Sequence, residues 1–205
     1  MKIFVSGTDT DIGKTLVCSW LCLHGGYKYF KPIQTGTKDG TDSEQVKKII
    51  GEENIIEECY KYTFPAAPYL SALKEREEIE KEKLRLPKEE NNLIIEGAGG
   101  LMVPINKTML MVDLIKYFNT PVILVAGTGL GTINHSLLSI HLLKNYRIPL
   151  LGVILSGSRN EENEKAIATY GNVEILAHIP FLKNIDRHEL RNILPSERLK
   201  SVLKK

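Results

Sequence analysis

Short runs of Ile, Val, Leu and Phe punctuate the chain, and between them apolar residues recur at helical spacing. Residues 2–6, 27–30, 93–96, 121–126, 150–155 and 174–179 read as strands. Most of these runs are apolar without alternation, which is the pattern of strands buried on both faces of a parallel sheet. Residues 14–23, 42–50 and 132–146 carry helical patterns. In the second of these, Asp42 stands where an N-cap is expected and Gln45 follows three residues later. The most charged stretch, 73–86, contains KEREEIEKEKLRL, whose mixed signs predict a solvated helix face. Strands alternating with helices predict an α/β fold: a doubly wound, mostly parallel sheet with helices on both faces, in a single domain spanning 1–205.

Composition narrows the classes. The length of 205 residues suits one domain with a sizeable core, and 42% apolar residues is ordinary for a globular protein. A net charge of +2, from 27 basic and 25 acidic residues, supplies no bulk field for nucleic acid or a membrane surface. The apolar runs are too short to span a bilayer. The opening MKIFVSGTDT passes straight into a strand and a polar loop, unlike a signal peptide, so a cytoplasmic protein is expected. The three cysteines, Cys18, Cys22 and Cys59, are too few and odd in number for a disulfide framework. Cys18 and Cys22 share one helix face, either as small buried apolar side chains or as half of a metal site without a second ligand pair nearby.

The chemistry begins in GTDTDIGKT, residues 7–15. It resembles the phosphate loop G-x-x-x-x-G-K-[ST], but Gly7 precedes Gly13 by six positions and Thr8 occupies the expected glycine position. A strand ends before this loop and a helix begins near Gly13 and Lys14. Backbone N–H groups at that helix start would meet phosphate, Lys14 would reach the outer phosphates, and the Thr15 hydroxyl would lie on Mg2+. A P-loop NTPase-like fold binding ATP is therefore expected. Thr10 and Asp11 face either the nucleotide or a second substrate.

Three more loops fall on the same predicted sheet edge. Lys31 precedes Pro32 and is held extended, either over the phosphates or as an ordinary exposed lysine. Glu96 ends an apolar strand, where a P-loop protein keeps its metal-side carboxylate, and Gly97, Ala98 and Gly99 after it let backbone approach a ligand; the alternative is a glycine turn with a solvated Glu. Asp42 is a second acid for the metal or a simple N-cap. The run Gly131, Thr132, Ile133 and Asn134 opens a helix, so it is either a second anion site or a glycine-rich connection.

GTDTDIGKT, KPIQTG, a following Asp42, IIEGAGG, PVILVAGTGLGTINH and AHIPFL, in this order and over nearly the whole chain, resemble the dethiobiotin synthetase family. The shifted glycine is that family's own variant. The resemblance implies a homodimer with substrate across its interface, and a reaction joining 7,8-diaminopelargonic acid with CO2 (or bicarbonate) and MgATP. It implies that Lys14 and Lys31 flank the transferred phosphoryl group as the catalytic pair. Thr15, Asp42 and Glu96 would hold Mg2+, while Asp11, Ile12, Gly13, Lys14, Thr15 and Leu16 surround the nucleotide with Gly97, Ala98 and Gly99. Thr35 would lie on the diamine or carbamate, with Thr10 nearby, and Gly131–Asn134 would receive the substrate carboxylate. Pro180, Phe181 and Leu182 would contact base or ribose.

The chain departs from the family at Ser156 and Gly157, where some members carry an Asn that reads adenine. A hydroxyl cannot make the paired contact of an amide, so weaker selectivity among nucleobases is expected. A ParA/MinD-like ATPase switch is the rival from another class; its loop usually carries an additional lysine near the start, and residues 7–11 contain none.

Overall fold

The computed structural model describes residues 1–88 and 92–203. In chain order its elements are β1 (Lys2–Gly7), α1 (Lys14–Gly25), β2 (Lys28–Phe30), β3 (Ile33–Thr35), α2 (Asp42–Ile50), β4 (Ile55–Ile56), β5 (Tyr60–Tyr62), α3 (Pro68–Lys74), β6 (Leu93–Gly100), α4 (Met111–Phe118), β7 (Val122–Gly127), α5 (Thr132–Asn145), β8 (Leu150–Ser156), α6 (Glu161–Gly171), β9 (Ile175–Ile179), α7 (Arg187–Asn192) and α8 (Glu197–Leu203). Seven strands form one sheet in the order β4-β2-β6-β1-β7-β8-β9, and every pairing in it is parallel. Strands β3 and β5 pair separately, also in parallel, as a small annex.

The apolar runs resolve into two faces. Ile3, Val5, Tyr29, Ile94, Ile123, Val125 and Ile154 pack towards α1, α2, α7 and α8. Their alternating neighbours Phe4, Phe30, Leu93, Ile95 and Val122 pack towards α4. Leu124, Ala126, Val153 and Leu155 continue that second face against Ile140 of α5 and Ile167 of α6. A strand covered on both sides has no face for polar residues, which is why its sequence does not alternate.

Parallel strands deliver all their C-terminal ends to one edge. From β1 the chain crosses to β2 on one side, whereas β7 leads to β8 on the other. This reversal opens the crevice where ligands of doubly wound sheets bind. The far end of the chain is tied back under α1. Trp20 Nε1 donates to the Ile193 carbonyl at 2.7 Å, Tyr27 Oη to the Leu203 carbonyl at 2.6 Å, and His24 Nε2 meets the Leu190 carbonyl at 3.1 Å.

Three sequence expectations change. Residues 73–86 are not a helix: α3 ends at Lys74, Arg76 turns left-handed at φ 59°, and a single 3₁₀ turn spans Lys81–Lys83. The apolar anchors there, Ile79 and Leu84, are buried and five residues apart, so they pin separate turns rather than build a helical stripe. Glu75 accepts hydrogen bonds from Thr63 and Phe64 instead of lying on a solvated helix face. Next, Asp42 is the first helical residue of α2 and not its cap. Thr41 is the cap, accepting from Glu44 N–H, and the Glu44 carboxylate accepts from Thr41 N–H in return. Finally, the turn alternative for the glycines after Glu96 falls. They prolong β6 beside β1, where Gly7 pairs with Gly100.

That prolonged strand needs its glycines for space. A Cβ at Gly97 would lie 2.8 Å from the buried Phe4 ring. Gly97→Ala is expected to destabilise the fold by about 1–3 kcal/mol through overpacking. A lowered denaturant midpoint at unchanged slope checks it; an unshifted midpoint contradicts it.

Candidate active site

The loop after β1 is shaped by steric room and by two left-handed turns. Thr8 N–H still donates to the Val125 carbonyl at 2.9 Å, after which the chain folds back over Gly7. A Cβ at Gly7 would meet Ile12 Cδ1 at 2.8 Å, the Asp9 carbonyl oxygen at 2.9 Å and Lys14 Cδ at 3.0 Å. Asp11 takes φ 54° and Gly13 φ 89°, and α1 starts immediately afterwards. No side chain caps α1 and no acid lies in its first turn, so its leading N–H groups are free of side-chain competition for an anion. Lys14, 7% exposed, arches back and donates to the Asp9 carbonyl at 2.7 Å. Thr10 and Asp11 are exposed, and Thr10 N–H donates to Asp9 Oδ1 at 2.7 Å. Ile12 and Leu16 are half-buried against the core under the loop.

Beneath this loop lies a knot of charge. Glu96 is 1% exposed and Lys31 5%. Alternation places Glu96 on the α1 face two residues after Ile94, and β2 pairs Phe30 with Ile95, so Lys31 emerges beside Glu96. Lys31 Nζ donates to Glu96 Oε1 at 3.1 Å and also to the Asp42 carboxylate. The Thr15 hydroxyl is 2.9 Å from both Asp42 Oδ1 and Glu96 Oε1. Tyr29 Oη donates to the other Glu96 oxygen at 2.8 Å. Tyr29 is a site residue that sequence reasoning passed over as core; its place in β2, two residues before Lys31, was the available signal.

Electrostatics follows from this packing. Burial alone would lower the Lys31 pKa, but Glu96 and Asp42 outweigh it and raise the ammonium above the ordinary lysine value. Burial would likewise raise the Asp42 carboxyl, yet the Lys31 charge and the hydrogen bonds from Lys31 and Thr15 hold it below the usual carboxylate range. Lys14 forms no ion pair with a carboxylate among the described residues: burial lowers its pKa, Glu96 restores part, and Lys31 lowers it further. Burial, with Glu96 nearby, pushes the thiols of Cys18 and Cys22 up, so both are packed neutral groups.

The donor set suits a hard divalent cation. One hydroxyl and two carboxylates converge, and the cation that bridges the two acids here is the Lys31 ammonium. No group of three or more His, Cys, Asp or Glu able to hold a metal occurs among the described residues. A site of one hydroxyl and two carboxylates would fit Mg2+, which takes one or two carboxylates and completes its shell with water and phosphate.

The annex steadies Asp42. Its N–H donates to Gln34 Oε1 at 3.1 Å, and Gln34 Nε2 donates to the Thr35 carbonyl at 2.8 Å. The neighbouring Ser43 hydroxyl donates to Glu58, which also pairs with Lys61 at 3.2 Å. Sequence reasoning missed Gln34 altogether, since a buried amide in a short apolar run carries no pattern of its own.

The remaining expected residues line the same edge. Thr35 is half-buried at the end of β3. Ala98 packs against the core on the α4 face, and Gly99 is left-handed at φ 69° with Val103 beneath it. Ser156 lies against the phosphate loop: a Cβ on Gly13 would be 2.5 Å from its hydroxyl. Gly157 sits between Thr128 and the Phe181 ring, and His178 Nε2 meets its carbonyl at 2.8 Å. Pro180 is exposed, Phe181 is 81% exposed and Leu182 is half-buried. Gly131 caps α5 at φ 92°, and the Thr132 hydroxyl is turned back onto the Gly127 carbonyl. Ile133 is half-buried and Asn134 exposed. The structure thus gathers Lys14, Thr15, Lys31, Asp42 and Glu96 into one cluster, while Thr35 and the Gly131–Asn134 segment share the edge without bonding to it. No helix among the described residues is long and apolar enough to cross a membrane.

Comparison with known proteins agrees with the fold. A family profile described as an AAA domain matches residues 1–189. Among solved structures, a ParA family ATPase from Chlorobium tepidum superposes with a TM-score of 0.58 at 11% identity, covering 99% of this chain and 93% of that one. The MinC:MinD cell division complex of Aquifex aeolicus gives 0.57 at 13% identity, covering 100% and 96%. At such identities the likeness is one of fold. Sequence relatives are far nearer. The ATP-dependent dethiobiotin synthetase BioD of Lawsonia intracellularis is 49% identical over 202 residues, 98% of each chain. The protein of the same name from Paramagnetospirillum magneticum is 41% identical over 193 residues, 94% of each. On that identity, over nearly its whole length, the chain belongs to the ATP-dependent dethiobiotin synthetase family.

Proposed function

We propose that residues 1–205 form one catalytic unit that joins 7,8-diaminopelargonic acid to CO2 at the expense of ATP, giving dethiobiotin, ADP and phosphate. The observation that carries this reading is the cluster of Lys14, Thr15, Lys31, Asp42 and Glu96 below an uncapped helix start. One substrate amine adds to CO2, forming an N–C bond and losing a proton to give a carbamate. A carbamate oxygen then attacks the γ-phosphorus as the bond to ADP breaks. The second amine attacks the carbonyl carbon of the resulting carbamic–phosphoric anhydride, closing the ring as phosphate leaves and a proton goes to solvent. Phosphoryl transfer of this kind calls for positioning and charge neutralisation.

Lys14 and Lys31 supply fixed positive charge at the transferred group, Lys14 from above the loop and Lys31 from below. Mg2+ held by Thr15, Asp42 and Glu96 would neutralise phosphate oxygens. Thr35 and Thr10 would meet the diamine or carbamate, and the α5 start at Gly131–Asn134 would receive the distal carboxylate, since its N–H groups have no side-chain cap. Asp11 is proposed to steer the cationic diamine. Phe181 beside Gly157 offers a base a stacking face, and Ser156, a hydroxyl close to Gly13 where an amide would make a paired contact, would leave base selectivity weak. Leu130 and Leu138, both exposed next to that α5 start, mark the face where a second copy would complete a homodimer.

Phosphate release from MgATP is expected only when both diaminopelargonate and bicarbonate are present, with dethiobiotin identified by mass. Turnover indifferent to the diamine contradicts the reading. Lys14→Ala and Lys31→Ala should each lose most activity but differ in stability. Lys14 ties only to a loop carbonyl among the described contacts, so its loss leaves the melting temperature nearly unchanged. Removing Lys31 leaves the buried Glu96 and the half-buried Asp42 without their shared cation, which costs about 3–5 kcal/mol; equal melting temperatures for the two variants would refute this difference.

Acid should act through Asp42. Its carboxyl is held below the ordinary value, near 3.9. The stability it contributes is therefore present above that value and lost as pH falls through the depressed folded-state value. Asp42→Asn should be less stable at pH 7 and show a shallower loss below about pH 4. Parallel acid-unfolding curves for wild type and variant would count against the pairing.

A further inference from the structure

Asp42 contributes a side chain to the charge cluster, but its backbone is held by something else. It is the first residue of α2, and a first-turn N–H has no partner inside its own helix. The Thr41 hydroxyl takes the N–H of Glu44 and leaves that of Asp42 unserved. Gln34 serves it. This side chain comes from β3, is 5% exposed, and accepts from Asp42 N–H at 3.1 Å while donating to the Thr35 carbonyl at 2.8 Å. The two partners dictate the amide's orientation, because reversing it would set a donor against the Asp42 N–H and an acceptor against the Thr35 carbonyl. Lys31, three residues upstream, holds the Asp42 carboxylate. The same KPIQTG segment therefore grips Asp42 by backbone and by side chain.

We propose that Gln34 is a positioning residue for the metal-side carboxylate. Its buried amide fastens the first turn of α2 to β3 and so sets where the Asp42 carboxylate stands relative to Thr15 and Glu96. This rests on the metal role assigned to those three residues under the proposed function. The physical reason is the short lever between the two ends of Asp42. Its side chain has a single methylene, so a shift of its backbone passes directly to the carboxylate oxygens. Lys31, with its long flexible stem, can follow such a shift, whereas a metal shell with near-ideal octahedral demands cannot. Loss of the Gln34 tether should therefore be felt by a bound divalent cation more than by the ion pair. Ser43 supplies the contrast: it also fastens the first turn, through Glu58, but without touching Asp42 N–H.

The test uses the full chain with Mn2+ and a non-hydrolysable ATP analogue, reading Mn2+ affinity by electron paramagnetic resonance and the melting temperature alongside. Gln34→Met, close in size but without the amide, should weaken Mn2+ binding about three- to tenfold, the scale of one lost hydrogen bond. Ser43→Ala should lower the melting temperature and leave Mn2+ affinity unchanged. Gln34→Asn, whose amide stops one methylene short, serves in the same comparison should the Met variant not fold. Unchanged Mn2+ affinity in the Gln34 variant, with wild type binding normally, overturns the role of Gln34 alone. Equal weakening by Ser43→Ala overturns it too, because general loosening of α2 then suffices. A wild-type protein that binds no Mn2+ with the analogue overturns the metal assignment itself and this inference with it.

Discussion

A carboxylate buried to 1% exposure is the constraint around which this molecule is arranged. A carboxylate without partners in that position would be strongly unfavourable, so Glu96 depends on the groups that bond to it. The partners come from three directions: Tyr29 from β2, Lys31 from the turn after it, and Thr15 from α1. Each is delivered by an element whose position the sheet determines. The register of β2 against β6 brings Lys31 alongside, and the phosphate loop sets α1 above. Asp42 then joins through Lys31, which carries α2 and the annex into the same network.

This network also divides labour between the two lysines. Lys31 is held charged between acids, while Lys14 is buried, bonds to a backbone carbonyl, and keeps a lowered pKa although Glu96 partly offsets its burial. A phosphate group would offer Lys14 the anionic partner that its surroundings withhold. Lys31 has to share its charge between the resident acids and any incoming anion.

Much of this was legible beforehand, and the reasons are specific. Strands buried on both faces leave unbroken apolar runs, so β1, β6, β7 and β8 stood out. The position of Glu96 at the end of such a run announced a functional acid. Lys31 was ambiguous, because an extended residue before proline says nothing about burial; only the pairing of β2 with β6 shows that its neighbour is Glu96. The glycines after Glu96 were open to two readings, close approach of a ligand or a turn, because a sequence does not say what a missing side chain makes room for; here it is Phe4 and the backbone of β1. The annex was invisible. Strands of three residues have no periodicity to detect, and the bonds that matter, at Gln34 and Glu58, join unremarkable polar residues from separate elements. The charged 73–86 stretch misled because composition describes a surface and not its secondary structure.

Gly7 adds one more point. It does not lie in the left-handed region, so its smallness is not about torsion. Its missing Cβ makes space for the Ile12 side chain and for the stem of Lys14 folding overhead. The interval between the loop's two glycines is then a ruler for the lysine: one end marks where the stem must clear the sheet, the other where the helix that carries it begins. The wider spacing, which departs from the common form of the loop, describes how far the chain travels before handing its cation to the ligand.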